Sequence, residues 1–119
     1  MIFDTSAVIR AIRTGSDFEE GSISVITLIE ILRGIEDKAK RDKTMALLEQ
    51  SFDILDVTRD LASAYVELYF GLKKKGEVVS DADTLIAASA RARNETVVTS
   101  DRDFLKFGSS VRVKLIPRV

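Results

Sequence analysis

Four acidic residues stand where carboxylates are costly, inside or at the ends of apolar segments of this 119-residue chain. Asp4 follows an apolar opening, Glu30 and Asp83 lie in apolar helical patterns, and Asp101 follows a β-branched run. A carboxylate in apolar surroundings costs free energy unless it is compensated. A single bound cation would compensate all four carboxylates. We therefore predict that these acids share a cation and form the catalytic site.

The residue types that are missing narrow the chemistry of that site. The chain has no His and no Cys, which excludes soft metal sites, thiol nucleophiles and imidazole bases. Two like charges 4 Å apart repel by about 4 kcal/mol at an effective dielectric near 20. A hard cation, Mg²⁺ or Mn²⁺, would relieve that repulsion with oxygen ligands. With imidazole and thiol groups excluded, water activated by such an ion is the nucleophile that remains for cleaving a phosphodiester.

Helix capping is the competing explanation for the same acids. A Ser or Thr three residues before an acid fits a capping box, and it occurs as Thr27 before Glu30, Ser80 before Asp83 and Ser100 before Asp103. Asp4 could likewise cap the helix that follows it. Capping requires four separate coincidences, whereas one metal site explains all four acids.

Composition indicates one folded domain over residues 1–119. The chain is 45% hydrophobic and 31% charged, with one Pro, as in folded globular proteins. No apolar run is long enough to span a membrane and no signal peptide is evident, so we predict a cytoplasmic protein without a membrane partner. The net charge of −1 does not indicate a nucleic-acid binder. Setting the four acids aside leaves 18 positive against 15 negative charges, which permits one.

Short β-branched segments alternate with helical patterns along the chain. This order predicts an α/β fold with a central, mostly parallel sheet of 4–5 strands and helices on both faces. The predicted strands are 2–4, 23–25, 52–57, 96–99 and 111–116, and the predicted helices are 6–13, 26–34, 38–50, 60–75 and 81–93. Ligands of such sheets collect at the carboxyl ends of the strands. Asp4 and Asp101 would lie at that edge directly, with Glu30 and Asp83 reaching it from the first turns of their helices.

The helix predicted over 60–75 is apolar on more than one side. One stripe consists of Leu61, Tyr65, Leu68 and Leu72, and a second side carries Ala62, Val66, Tyr69 and Phe70. An apolar patch of this kind marks an interface. We predict a homodimer through this helix or a neighbouring one; the alternative is a helix buried on two sides within the monomer.

Four ordered sequence blocks resemble the PIN-domain ribonucleases, specifically the VapC-type toxins of prokaryotic toxin–antitoxin pairs. The blocks are Asp4-Thr5-Ser6-Ala7-Val8-Ile9, residues 24–34 around Glu30, Asp83-Thr84-Leu85-Ile86-Ala87-Ala88-Ser89-Ala90, and Val98-Thr99-Ser100-Asp101-Arg102-Asp103-Phe104. The resemblance covers nearly the whole chain. It implies a PIN-like fold and an endoribonuclease that depends on Mg²⁺ or Mn²⁺, with RNA as substrate and a cognate antitoxin protein as partner.

The resemblance also assigns roles to individual residues. By motif match it implies that Asp4, Glu30 and Asp83 are metal ligands, that Asp101 is the fourth acid, and that Asp103 is a further ligand position. Three hydroxyl residues, Thr5, Ser6 and Thr99, are implied to orient those carboxylates. The sequence does not identify the RNA target; candidates for phosphate contacts are Arg10, Arg13, Arg33, Arg91 and Arg102.

Three other interpretations fit parts of the pattern. A receiver-type phosphoacceptor domain needs an acceptor Asp and a late Lys, for which Asp56 and Lys114 are poorly placed. Two Asp-x-Asp pairs match the short acidic motif of sugar transferases and topoisomerase-like folds, but so short a motif often arises by chance. The serious competitor is a PIN-like RNA-binding or structural module with little or no cleavage. Retention of all four acids favours the nuclease.

Overall fold

The computed structural model describes residues 1–15 and 20–118, which form a five-stranded sheet with helices packed against it. In chain order the elements are β1 (Ile2–Phe3), α1 (Thr5–Thr14), β2 (Ser22–Ser24), α2 (Val25–Leu32), α3 (Lys38–Ser51), β3 (Asp53–Leu55), α4 (Arg59–Lys75), α5 (Asp81–Arg93), β4 (Val97–Thr99), a 3₁₀ segment (Arg102–Ser110) and β5 (Val113–Leu115).

All strand pairings are parallel, in the order β3-β2-β1-β4-β5. β1 is central and pairs Ile2 with Ser22 on one side and with Val97 on the other. The predicted PIN-like α/β architecture is therefore confirmed. Because β1 and β4 are neighbours in register, the residues that follow them emerge side by side at the carboxyl edge.

Apolar residues fill both faces of the sheet. One cluster joins Ile2 and Val97 to α4, α5 and the 3₁₀ segment, where Phe104 is fully buried. The second joins Ile23 to residues from α1, α2 and α3. Adjacent residues in a strand point to opposite faces, so Ile2 belongs to the first cluster while Phe3 packs on the second. These two layers fix the helices that bring acids to the edge.

Helix α2 departs from its predicted boundaries at both ends. It was predicted over 26–34, but it begins at Val25 because Ser24 is the N-cap, whose hydroxyl accepts from the Ile26 amide at 3.1 Å. Glu30 is therefore the sixth residue of the helix and not in its first turn. The predicted capping box of Thr27 with Glu30 is wrong, since Thr27 lies inside the helix and is fully buried.

Several other boundaries also shift by one or two residues. The predicted strands 52–57 and 111–116 shorten to three residues each, and 23–25 moves one residue towards the N-terminus. The helix over 81–93 is confirmed at both ends. The 3₁₀ segment was not predicted. Asp101 caps it by accepting from the Asp103 amide at 2.9 Å, so the predicted Ser100 cap is wrong.

Helix α4 buries one face and exposes the other. Leu61, Leu68 and Leu72 are buried, as the stripe predicts. Val66, Tyr69 and Phe70 remain 50%, 46% and 55% exposed. The alternative of a helix buried on two sides within the monomer is therefore wrong. The helix ends at Gly76, whose φ of 68° is the left-handed conformation that glycine adopts without strain.

None of the helices that the structure describes is long and apolar enough to cross a membrane.

Candidate metal centre

Asp4 is a buried carboxylate at the carboxyl end of β1. Its side chain is 3% exposed. Oδ1 accepts hydrogen bonds from the Ser6 hydroxyl at 2.7 Å and the Ala7 amide at 2.9 Å, while Oδ2 accepts one from the Thr99 hydroxyl at 2.6 Å. Asp4 thus caps α1, as the capping interpretation proposed. It does so while its other oxygen faces β4.

The hydrogen bonds of Asp4 do not fully compensate its burial. Burial raises the pKa of Asp4, hydrogen bonds from Thr99, Ala7 and Ser6 lower it, and the nearby charge of Asp101 raises it further. The net direction is upward. A structural cap stabilised by its bonds would instead show a lowered pKa. The hydrogen bonds within the chain therefore do not offset the cost of burying the ionised form of Asp4, as expected of a carboxylate that binds a cation.

Two hydroxyl groups connect Asp4 to the end of β4. The Thr99 hydroxyl, fully buried, donates to Asp4 and accepts from the Asp101 amide at 2.9 Å. The Ser6 hydroxyl donates to Asp4 and accepts from the Ser100 amide at 3.0 Å. This network fixes the backbone that carries Asp101 against α1. Thr99 and Ser6 thus have the contacts expected of groups that orient a carboxylate.

Glu30 enters from α2 and is held by α1. The Thr5 hydroxyl donates to Oε1 of Glu30 at 2.7 Å and lies 3.4 Å from the Thr27 hydroxyl. The second carboxylate oxygen is 3.8 Å from a guanidinium nitrogen of Arg33. The side chain is 21% exposed, so Glu30 is anchored at Oε1 and remains partly open to solvent. Thr5 therefore orients this carboxylate much as Ser6 orients that of Asp4.

Asp83 shows the strongest electrostatic perturbation of the set. It is the third residue of α5, in the first turn as predicted, and its amide donates to the N-cap hydroxyl of Ser80 at 3.2 Å. Partial burial raises its pKa to about 6, a hydrogen bond from Ser80 opposes the rise, and the charges of Asp101, Asp4 and Glu30 add to it. These interactions place Asp101, Asp4 and Glu30 within electrostatic reach of Asp83.

Asp103 is oriented differently from the other acids. Its side chain is 50% exposed, and its Oδ1 pairs with the ammonium of Lys106 at 3.2 Å. Its amide, rather than its carboxylate, contacts Asp101. As the fourth acid, Asp101 is therefore better placed than Asp103.

The carboxylate oxygens of the four acids are suitable ligands for a hard cation. The four side chains do not, however, converge closely around one ion position. Across residues 1–15 and 20–118, no three acidic side chains approach closely enough to hold an ion by themselves. Mutual repulsion favours such spacing, and both oxygens of Asp4 already accept hydrogen bonds. Mg²⁺ is commonly held by one or two carboxylates with water completing its shell. The spacing suits that mode of binding.

A cleft of about 340 Å³ opens beside Asp101. Guanidinium and hydroxyl groups line it, from Ser6, Arg10, Arg13, Ser100 and Arg118. Two of the predicted phosphate-contact residues, Arg10 and Arg13, are thus beside the acidic site. Arg33 instead pairs with Glu30, and Arg91 pairs with Glu67 at 2.8 Å.

Sequence reasoning missed two features of this edge. Arg118 was not singled out, although it lies just beyond β5, and chain segments that leave parallel strands at their carboxyl ends emerge at one edge. Ser24 was missed as the cap of α2 because Thr27 offered a better match to the capping-box pattern.

The chain is similar in sequence to a known domain family and to several ribonucleases. A family model described as PIN domain matches residues 1–109. Ribonuclease VapC1 of Methanocaldococcus jannaschii is 29% identical over 104 residues, covering 86% of this chain and 76% of that protein. Ribonuclease VapC5 of Mycobacterium tuberculosis is 32% identical over 126 aligned positions, covering 97% and 93%.

A solved structure agrees with these relatives. It is the crystal structure of VapBC-5 from Mycobacterium tuberculosis, a member of the VapBC family of toxin–antitoxin systems. It matches this chain with a TM-score of 0.73 and 27% identity, over 98% of this chain and 96% of the matched one.

Proposed function

Because this chain belongs to the PIN-domain family, with VapC-type ribonucleases as its relatives, we propose that it is an endoribonuclease that hydrolyses RNA phosphodiester bonds. We further propose that it depends on Mg²⁺ or Mn²⁺ and that Asp4, Glu30, Asp83 and Asp101 are its catalytic residues. The observation that carries the proposal is the pKa of Asp83, which burial raises to about 6 with added repulsion from the charges of Asp101, Asp4 and Glu30. Perturbation of this kind marks functional sites.

The residues of the chain divide the work. Asp4 and Asp101 provide carboxylates at the ends of adjacent strands, held in place by Thr99 and Ser6. Glu30 and Asp83 approach from α2 and α5, and Thr5 fixes the orientation of Glu30. When bound, a divalent ion supplies neutralisation of phosphate charge and activation of the attacking water. In the hydrolysis, the water oxygen forms a bond to phosphorus while one ester P–O bond breaks.

Biological context follows from the relatives. We infer that this chain is the toxin of a toxin–antitoxin pair, since the matched VapBC-5 structure belongs to such a system. A cognate antitoxin is then its proposed protein partner, and we propose that it acts in the cytoplasm. We also propose that residues 1–119 form one PIN domain.

Self-association is a separate proposal, supported by the exposed side of α4. Val66, Tyr69 and Phe70 form an apolar surface there, with the Tyr69 and Phe70 rings 5.3 Å apart and edge to face. We propose that this surface forms a homodimer, with the antitoxin using adjacent apolar surface.

A cleavage assay tests the proposed function. Purified protein should cut single-stranded RNA in Mg²⁺ or Mn²⁺ and stop when EDTA is added. Asp83→Asn protein, purified identically, controls for contaminating nuclease and should be inactive. Equal cleavage by this variant, or undiminished cleavage in EDTA, would refute the proposal. Tight RNA binding without cleavage in any divalent ion would favour a non-cleaving RNA-binding module.

A further inference from the structure

Arg10 carries an unusual buried nitrogen. Its Nε is buried and has no hydrogen-bond partner within residues 1–15 and 20–118. A buried donor left unsatisfied costs about 1–3 kcal/mol. Such an atom is rare in folded proteins and points to a partner outside those residues.

The position of this nitrogen identifies the chemistry of the missing partner. Arg10 lines the cleft described above together with Arg13 and Arg118, so three guanidinium groups converge on one space. A guanidinium donates through a planar fork that matches the oxygens of phosphate or carboxylate. The cleft volume of about 340 Å³ lies within the range of small-ligand sites. An anionic group therefore suits this cleft.

The contacts of the cleft with the acidic site favour phosphate over carboxylate. Asp101 and Ser6 line the same cleft, and each is linked through hydrogen bonds to Asp4 or Thr99. A polymer whose cleaved phosphate lies at the acids would place a neighbouring phosphate within reach of the arginines. An isolated carboxylate gains nothing from that continuity.

We propose that this cleft binds a phosphodiester of single-stranded RNA next to the cleaved bond, with Arg10 as a positioning residue that donates to its oxygen. The proposal rests on RNA being the substrate, as proposed above. Arg13 and Arg118, which are both exposed, add positive charge to the lining of the cleft. The acids alone repel a polyanion, and the arginines offset that repulsion on one side. Because the arginines lie on only one side of the acids, they favour one direction of the RNA strand across the site.

Binding without cleavage provides the test. A fluorescein-labelled single-stranded RNA of mixed sequence is titrated in EDTA at several NaCl concentrations, and anisotropy gives the affinity. We expect Arg10→Met to bind about tenfold more weakly, as for loss of a hydrogen bond to a charged group. The slope of log affinity against log salt should fall in magnitude by about 0.7, the value for one phosphate contact on a single strand.

Arg59→Met is the matched control, because Arg59 is exposed at the start of α4 and does not line the cleft. It removes the same charge and should change affinity by no more than about twofold. Thermal melting separates binding from folding. Arg10→Met should melt at the wild-type temperature or above, since it removes an unsatisfied donor while keeping the apolar stem.

Three results would overturn the inference. A marked loss of thermal stability in Arg10→Met would mean that Nε supports the fold. Equal losses of RNA affinity in the Arg10 and Arg59 variants would reduce the effect to net charge. Unchanged RNA binding, with loss of binding to a poly-glutamate peptide, would assign the cleft to a protein partner. RNA binding that depends on Arg10 but leads to no cleavage in Mg²⁺ would leave the cleft assignment standing and refute the proposed hydrolysis instead.

Discussion

Asp83→Asn should make the metal-free protein more stable, because burial, and after it repulsion from the neighbouring acids, disfavours the ionised carboxylate. The pKa of Asp83 rises from 3.8 to about 6 on folding, and a shift of two units corresponds to about 3 kcal/mol. The side chain is only half-buried, so solvent screening reduces this to roughly 1–2 kcal/mol. Asn also loses a favourable charge at the N-terminus of α5, a cost of about 0.5 kcal/mol. The net expected gain is about 1 kcal/mol.

The gain should depend on pH in a defined direction. Below pH 3.8 the Asp83 carboxyl is protonated in both the folded and the unfolded chain, so its burial carries no charge penalty. As pH rises from about 4 to about 6, the unfolded chain ionises first, and wild-type stability falls. Above about pH 6 the full penalty is present. Asp83→Asn should therefore match wild type near pH 4 and exceed it at pH 8.

Thermal melts in EDTA measure the effect. At this chain length, 1 kcal/mol corresponds to a Tm shift of about 4 °C. Asp81→Asn is the matched control, because it removes a charge from the same helical turn. Asp81 accepts a hydrogen bond from the Tyr65 hydroxyl at 2.6 Å, so this substitution should destabilise the protein. Adding Mg²⁺ should then stabilise wild type and leave Asp83→Asn unchanged, which reverses their order. If Asp83→Asn melts below wild type at pH 8 in EDTA, the carboxylate is a structural cap and the reasoning fails.

Two further predictions address Glu30 and α4. Glu30→Gln keeps an acceptor for the Thr5 hydroxyl, so we expect its free energy of unfolding to lie within about 0.5 kcal/mol of wild type. RNA cleavage by this variant should fall at least about tenfold. Cleavage at the wild-type rate would remove Glu30 from the site. Phe70→Glu should convert a dimer at tens of micromolar into a monomer by light scattering, because Phe70 is 55% exposed. Leu105→Glu, at a side chain 46% exposed on the 3₁₀ segment, is its control, and a wild-type monomer would count against the dimer.

Periodicity and the alternation of strands with helices were sufficient to predict a parallel sheet, but not the order of the strands within it. β-branched runs identified all five strands, and their alternation with helices predicted parallel pairing, which the structure confirms. The exact strand lengths could not be predicted, since pairing ends where the neighbouring strand ends: β5 covers only the register that β4 offers, from Val97 to Thr99. Ends of elements are set by neighbours as well as by local sequence.

The local roles of single residues were harder to predict. Whether Ser24 or Thr27 caps α2 depends on where β2 delivers the chain, which is a tertiary property. Arg102 and Arg10 look alike in sequence, yet one is exposed on the 3₁₀ segment and the other lines the cleft beside Asp101. Sequence spacing identifies residues that share an edge, but it does not say which side of that edge a long side chain occupies.

Asp4 explains why capping and metal binding were difficult to separate from sequence. Its Oδ1 performs the cap on α1, and its Oδ2 is bonded to Thr99 on the adjacent strand. A cap alone would need neither burial nor a neighbour such as Asp101, whose charge adds to the raised pKa. The cap instead holds the carboxylate rigid while the rest of the site keeps it electrostatically under-compensated. Capping and cation binding are therefore compatible functions of one side chain, and the sequence pattern for the first does not argue against the second.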